Sequence, residues 1–325
     1  VSPTPKIIQT IADLIRRHNS CLLLTHVNPD GDALGSLLGL ALGLESIGIR
    51  TFPVCADPVP EVYDFLPGAD RVRSDLPAQL PMLGVSVDAD GVGRVGKFGP
   101  DLERLCALID IDHHATEKAF GSVQWVDPRA GATGELVYRL LRGLEVALTP
   151  DMATCLYTAI ITDTGRFCYS NTTPRVLRVA ADLVRAGASP PQIYREVYES
   201  KSFSASRLLG LALGRLRQAD TDRVVYSALT QEDFRAAGSA PEETEGIIDH
   251  LRAVREAYAA ALFVELPDGA VRVSMRSRGA VDVGEVALRF GGGGHVNASG
   301  CTVPGPLAEA QRLVLSALVE AVPRG

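Results

Sequence analysis

The amino-acid sequence predicts an α/β protein: an N-terminal, mostly parallel sheet with helices on both faces, followed by a smaller C-terminal α+β domain. Three observations carry this expectation. Short apolar runs at 21–24, 83–88 and 106–112 have the length of buried strands, and they alternate with segments whose apolar residues recur at helical spacing. Each run leads into aspartate or histidine, at the edge where open α/β sheets place their chemistry. Beyond residue 222 the pattern changes to strands grouped around a Pro267-Asp268-Gly269 turn.

Residues 6–17 set Ile7, Ile8, Ile11, Leu14 and Ile15 at the spacing of an amphipathic helix. The run 21–24 reads as the first strand, 37–47 as the helix after it and 50–54 as the second strand, with 58–67 a connector holding a helical turn. After the strands 83–88 and 106–112, helical patterns follow at 134–144, 151–162 and 174–186. Residues 188–222 begin near Pro190-Pro191, are less regular, and read as a helical connector between a domain at 1–187 and a domain at 223–325. In the second domain, 223–229 is a strand, 257–266 and 270–276 form a hairpin, 283–290 is a helix before a glycine run, and 307–322 is the closing helix. No internal repeat or low-complexity segment is present.

With 325 residues, 46% hydrophobic and 22% charged, the composition is that of a globular chain with room for two cores. No apolar run approaches the ~18 residues of a membrane span, and Glu45 interrupts the longest candidate, 37–49. The first ten residues lack a basic region followed by an apolar core, so no secretory leader is expected. Six scattered cysteines (Cys21, Cys55, Cys106, Cys155, Cys168, Cys301) form no C-x-x-C pair, which predicts free thiols in a cytoplasmic protein, not a disulfide framework or thiolate zinc site. A net charge of −7 argues against a broad basic surface for long duplexes. It leaves nucleotides open, because bound divalent cations reverse the sign locally.

The chemistry concentrates in four groups. Residues 25–36, THVNPDGDALGS, place His26, Asp30 and Asp32 at a strand exit. Pro29 restrains the approach and Gly31 permits a tight backbone, so both carboxylates can face one point. The plainer reading of this stretch is a polar turn with a helix cap. Asp88 ends the next strand, where an acid can bridge two cations. Asp112-His113-His114 closes another, and adjacent histidines on an extended chain project in different directions, so one can bind metal while the other faces substrate. Leu156, Ala159, Ile160 and Asp163 share a helical face, so Asp163 ends an apolar stripe at the negative end of the helix dipole, where a cation would compensate it. A simple helix stop before Gly165 is the competing reading. Together His26, Asp30, Asp32, Asp88, His113 and Asp163 are two imidazoles and four carboxylates, a set whose repulsion two divalent cations would neutralise. Oxygen-rich ligation with some histidine favours Mn²⁺, with Mg²⁺ next, over a thiolate zinc site.

A further group lies in the C-terminal part. Four glycines at 291–294 precede His295 and Ala298-Ser299-Gly300, and backbone N–H groups at Gly293 and Gly294 can approach a phosphate or ribose closely. Arg276 and Arg278, at a strand end, can contact phosphate or a base. Residues 91–96, GVGRVG, match G-x-G-x-x-G, but the following stretch holds Pro100 and little helical pattern, and the match lies well past the first strand; a dinucleotide site is therefore not expected there.

In this order the groups resemble the DHH phosphoesterase superfamily: THVNPDGDALGS its first motif, the Asp88 strand its second, Asp112-His113-His114 its signature, and Thr162-Asp163-Thr164-Gly165 its fourth. The stretch GGGGHVNASG resembles the DHH-associated domain of the branch that degrades very short oligonucleotides and dephosphorylates 3′,5′-bisphosphonucleosides such as pAp. The resemblance implies one cation on His26, Asp30 and Asp88, and a second on Asp32, Asp88, His113 and Asp163. It implies that Asp112 orients a histidine, that His114 meets the scissile phosphate or leaving group, and that Arg276, Arg278 and the Gly293-Gly294-His295 loop bind the rest of the substrate. Short single-stranded oligonucleotides and nucleotides are the implied partners, with no membrane; a homodimer is compatible with this. The alternatives are a linear or cyclic dinucleotide phosphodiesterase, an inorganic pyrophosphatase, and a non-catalytic nucleotide-binding module. The absence of Lys from 202–325 counts against the pyrophosphatase, and the complete ligand set counts against the binding module.

Overall fold

The computed structural model describes residues 6–114, 120–219 and 222–323, and the chain divides into two compact units, Val1–Ser200 and Lys201–Gly325. Residues 1–5 of the stretch read for a leader and 220–221 of the expected connector lie outside the described residues.

The first unit opens with α1 (Lys6–Arg16), which buries Ile8, Ile11, Ala12 and Ile15. It continues through β1 (Ser20–Leu24), α2 (Gly31–Ser46), β2 (Arg50–Val54), β3 (Leu83–Val87), β4 (Ala107–Asp112) and β5 (Val123–Val126). Helices α3 (Thr133–Gly143), α4 (Pro150–Asp163), α5 (Pro174–Arg185) and α6 (Pro190–Tyr198) complete it. The five described strands are parallel, in the order β2-β1-β3-β4-β5. Alternation splits each strand between two faces. Cys21, Leu23, Val85, Ile109 and Ile111 join the core under the α-helices, while Leu22, Leu24 and Leu108 join a smaller core covered by the 3₁₀ segment Val92–Arg104. Register pairs Leu24 with Ser86 and Val87 with Ile111, so the exits of β1, β3 and β4 lie side by side.

Around α2 the structure differs from expectation. Helix α2 starts at Gly31 and not near residue 37, because the Asp30 side chain caps it by accepting from the backbone N–H groups of Asp32 and Ala33. Its opening turns are buried on nearly every side, so no amphipathic period marks where it begins. Gly31 is helical, not a turn residue. A Cβ there would lie 2.5 Å from Thr162 of α4. Gly35 likewise faces the Cys155 carbonyl and Ala159, Gly39 faces Leu156, and Gly43 faces Leu141 of α3. This four-residue stripe lets α2 lie directly against α4, and so brings Asp30 and Asp32 to the helix end that carries Asp163.

The second unit comprises α7 (Phe203–Gly214), β6 (Arg217–Gln218), β7 (Val224–Leu229), α8 (Gln231–Ala237), α9 (Ile247–Arg252), β8 (Ala259–Glu265), β9 (Val271–Ser277), α10 (Val283–Leu288), β10 (Gly293–His295), β11 (Ala298–Val303) and α11 (Leu307–Glu320). Its sheet runs β10-β11-β9-β8-β7-β6, with β7 and β8 parallel and the other described pairs antiparallel. Phe263, Val273, Met275, Val286 and Val314 form a core on one face; Leu208, Phe234, Ile248 and Leu262 form a second on the other. The expected hairpin is β8/β9. The glycine run, expected as a loop, instead contributes β10, an edge strand paired with β11.

Replacing Gly35 by Val should force α2 and α4 apart and lower the stability of the first unit by about 1–3 kcal/mol. Urea unfolding checks this: an unchanged midpoint would show that the helix contact is not tight.

Candidate metal centre

Six of the residues picked out in the sequence meet at the exits of β1, β3 and β4 and the start and end of α2 and α4. Asp88, 2% exposed, is central. Its Oδ2 lies 3.6 Å from His26 Nε2, and its Oδ1 lies 3.6 Å from both His113 Nε2 and His114 Nδ1. His26 Nε2 is also 3.8 Å from Asp30 Oδ1, and His113 Nε2 is 3.7 Å from Asp32 Oδ2 and 3.5 Å from Asp163 Oδ2. Three groups of donor atoms lie close enough to hold a cation: His26, Asp30 and Asp88; Asp32, His113 and Asp163; and Asp88, His113 and His114.

The strand exit that delivers Asp88 is strained: Asp88 and Asp90 have φ of 59° and 45°, and Gly91 has φ of 103°. Asp112 helps hold this turn, accepting the Asp90 N–H on Oδ2 at 2.8 Å. Its other oxygen accepts the N–H groups of His113 (2.6 Å) and His114 (2.9 Å) and the His114 Nδ1 (2.6 Å). Asp112 therefore clamps the His113-His114 backbone and the ring of His114 rather than that of His113. On His26, Nδ1 donates to the Val27 carbonyl at 2.8 Å, which leaves Nε2 directed at the carboxylates.

Other residues of the site carried no sequence signal strong enough to single them out. The N-terminus of α3 points at Asp32: the Thr133 N–H donates to Oδ2 at 2.6 Å and the Gly134 N–H to Oδ1 at 2.9 Å, where the Ser36 hydroxyl also donates. The Thr133 hydroxyl donates to Asp88 Oδ1 at 2.9 Å. Asn171 ties Asp163 to the segment before α3: its Nδ2 reaches Asp163 Oδ2 and the carbonyls of Asp163 and Gly131. The Gly131 N–H goes to Glu135, a fully buried acid paired with Arg175. A polar residue opening a helix, as in Thr133-Gly134-Glu135, is the one pattern that could have drawn attention to this segment.

The electrostatics suit cations. Burial, with repulsion from Asp88, Asp163 and Asp30, pushes Asp32 well above the usual carboxylate range. Burial raises Asp163 to about 7, with His113 opposing and Asp88 and Asp30 reinforcing the rise. Burial works against charge on His26, yet Asp30 and Asp88 raise it to about 10. Buried acids that hold protons for want of a counter-charge, facing imidazole Nε2 atoms, form a donor set that fits oxygen-preferring divalent cations.

The C-terminal candidates sit on the other sheet. Register aligns His295 of β10 with Ala298 of β11 and Arg276 of β9, so these three share one cross-strand row. The next row on the same face is Gly293, Gly300 and Ser274, which leaves the platform low beside His295 and Arg276. Gly294 has φ of 134°, and a Cβ there would strike the backbone of Ala298 and Ser299. Arg276 Nε is 3.8 Å from Asp249. Arg278 lies past the end of β9, is exposed, and donates to the Arg255 carbonyl at 3.3 Å.

The profile of the N-terminal domain of the DHH family matches residues 20–160, and that of the DHHA1 domain matches 221–322. The chain belongs to the DHH family and joins a DHH domain to a DHHA1 domain. Among individual members it is similar to the protein named bifunctional oligoribonuclease and PAP phosphatase NrnA of Thermus thermophilus: 36% identity over 93% of this chain and 90% of that one. The protein of the same name from Bacillus subtilis is 30% identical over 89% of this chain and 91% of its own length. An exopolyphosphatase-related protein from Bacteroides fragilis has a TM-score of 0.89 at 25% identity, covering 97% of this chain and 96% of that one. RecJ from Thermus thermophilus, solved in complex with Mn²⁺, shares the fold at a TM-score of 0.56 and 16% identity, over 97% of this chain and 56% of RecJ.

The protons on Asp163 and His26 are bound more tightly in the folded than in the unfolded protein. Their stabilising contribution is complete below the ordinary values of 3.8 and 6.5, and is lost as pH rises through about 7 and about 10. A divalent cation competes with those protons, so the rise in unfolding temperature on adding Mn²⁺ to chelator-treated protein should be larger at pH 8 than at pH 5.5. Thermal unfolding at both values checks it; a gain that is flat or falls with pH would contradict this account of the cluster.

Proposed function

We propose that this chain is a metal-dependent phosphodiesterase that hydrolyses very short oligonucleotides to mononucleotides and dephosphorylates 3′,5′-bisphosphonucleosides, converting pAp to AMP. The observation that carries the reading is the gathering of His26, His113, Asp30, Asp32 and Asp163 around the buried Asp88 carboxylate in a DHH-family chain. The names of the similar proteins from Thermus and Bacillus support the substrate class. Six free cysteines accord with a reducing, cytoplasmic setting.

His26, Asp30 and Asp88 would hold one cation, and Asp32, Asp88, His113 and Asp163 a second, with Mn²⁺ the best match to the mixed oxygen and imidazole donors. Bound there, divalent cations lower the pKa of water and neutralise charge developing on the phosphoryl oxygens. The protein's own groups supply the rest. Thr133, Gly134 and Ser36 hold Asp32 in one orientation through three donors, and the Thr133 hydroxyl fixes Asp88. His114 Nδ1 is committed to Asp112, so proton transfer to a leaving oxygen falls to Nε2. Burial opposes charge on this ring, but Asp112, with Asp88 and Asp90, raises it to about 9, so it carries a proton at neutral pH. In the DHHA1 domain, His295 and Arg276 would grip nucleotide phosphate or base across Ala298. Gly293 and Gly294 would supply backbone contacts, and Arg278 would reach the substrate's outer end.

Asp163→Ala should reduce Mn²⁺-dependent turnover of pAp at least ~1000-fold, in keeping with loss of a cation ligand. His295→Ala should instead raise KM about tenfold with kcat nearly kept; equal, negligible effects would remove both assignments. Rates on labelled di- to pentanucleotides should exceed those on a 20-mer single strand, whereas rates rising with length would overturn the short-substrate reading. Thr133→Val, which keeps the N–H but removes the hydroxyl on Asp88, should weaken Mn²⁺ binding ~10-fold by calorimetry.

A further inference from the structure

The sequence stretch GVGRVG at 91–96, set aside as a dinucleotide motif, lies against the metal centre. It folds as 3₁₀ turns, with no α-helix N-terminus to receive a pyrophosphate. Its glycines act differently: Gly91 (φ 103°) turns the chain after β3, and Gly96 (φ 63°) lets it approach so closely that a Cβ would lie 2.6 Å from Val27 and 2.9 Å from Ala56. Between them the Arg94 carbonyl accepts the Val27 N–H at 2.8 Å, which pins this segment to the loop bearing His26. The Arg94 guanidinium thereby stands beside the ring, with Nη2 3.2 Å from His26 Nδ1.

That approach is not a hydrogen bond when His26 presents Nε2 to the carboxylates. The Nδ1 proton then goes to the Val27 carbonyl at 2.8 Å, and Nδ1 keeps no lone pair for Arg94. Arg94 is exposed and pairs with no carboxylate among the described residues. An arginine held against a proposed cation ligand, with its donor fork uncommitted, has the geometry for an incoming phosphate. His26 Nε2 faces Asp88 Oδ2, while His113 and His114 face Oδ1, and Arg94 adjoins the other nitrogen of the His26 ring. The guanidinium is therefore one imidazole width from the carboxylate cluster.

We propose that Arg94 binds a nonbridging oxygen of the phosphoryl group that is cleaved. This rests on the phosphoesterase reading of the centre and adds to it a substrate contact from the N-terminal unit. The test uses AMP, which is not consumed and whose phosphate is the cleaved group when a dinucleotide is hydrolysed to mononucleotides, and measures its binding in Mn²⁺ by calorimetry for the full chain and for Arg94→Gln and Arg94→Lys. Arg94→Gln should weaken AMP about 10–100-fold, with Arg94→Lys intermediate because ammonium contacts phosphate as a point charge. Mn²⁺ affinity, and affinity for adenosine, which lacks the phosphate, should stay within about twofold of the parent in both variants. AMP binding by Arg94→Gln within twofold of the parent, or no AMP binding by the parent, overturns the proposal. So does a parallel loss of Mn²⁺ affinity, which would mean that Arg94 acts through His26, or a parallel loss of adenosine. Turnover of pAp by the parent chain is measured alongside. Its absence would sink the phosphoesterase reading, while the AMP comparison would still decide whether Arg94 holds phosphate.

Discussion

Asp88 accepts the Thr133 hydroxyl and stands 3.6 Å from the nearest ring nitrogens of His26, His113 and His114, while Asp30, Asp32 and Asp163 close in around the same histidines. Buried negative charge at this density repels itself, and the cluster answers by retaining protons: Asp32 and Asp163 are pushed up and His26 is held charged. The rest of the first unit can be understood as what it takes to hold that arrangement together. Three parallel strands end side by side to deliver His26, Asp88 and Asp112-His113-His114, and the amides at the N-terminus of α3 partly offset the charge on Asp32.

Helix packing sets the tolerance of this assembly. The stripe Gly31, Gly35, Gly39 and Gly43 lets the α2 backbone press on side chains of α4 and α3 with none of its own between. The helix start bearing Asp30 and Asp32 then sits at the helix end bearing Asp163. A close-packed interior transmits displacement, so a side chain added to this stripe moves carboxylates as well as helices. The segment before α3 is held equally firmly, with Gly131 bonded through its N–H to Glu135 and through its carbonyl to Asn171, which also bonds Asp163.

Legibility followed side-chain signal. His26, Asp88, Asp112 and His113 could be read because apolar runs lead straight into them, and Asp163 because it continues a helical stripe. The beginning of α2 could not be read, since a helix buried all round carries no amphipathic period. Strand β5 is four residues, exposed in part at the edge of the sheet, and offers too few alternations to register. The glycine run lacks the side chains by which a strand announces itself, so β10 was expected as a loop. Thr133 and Asn171 reach the centre from segments whose local sequence has little reason to look unusual, and Arg94 from a glycine motif whose match to a dinucleotide fingerprint pointed elsewhere.

The sequence by itself determined which chemical groups are available and that they belong at strand exits, because hydrophobic period and residue type are local properties. It also carried the family resemblance, through four ordered motifs and the glycine-histidine stretch. Only the tertiary structure decided that Asp112 clamps the ring of His114 rather than that of His113, that Gly31 serves helix contact rather than a turn, and that His295, Ala298 and Arg276 fall in one row. Those outcomes depend on strand register and on the approach of α2 to α4, which come from pairings and contacts between residues far apart in the chain.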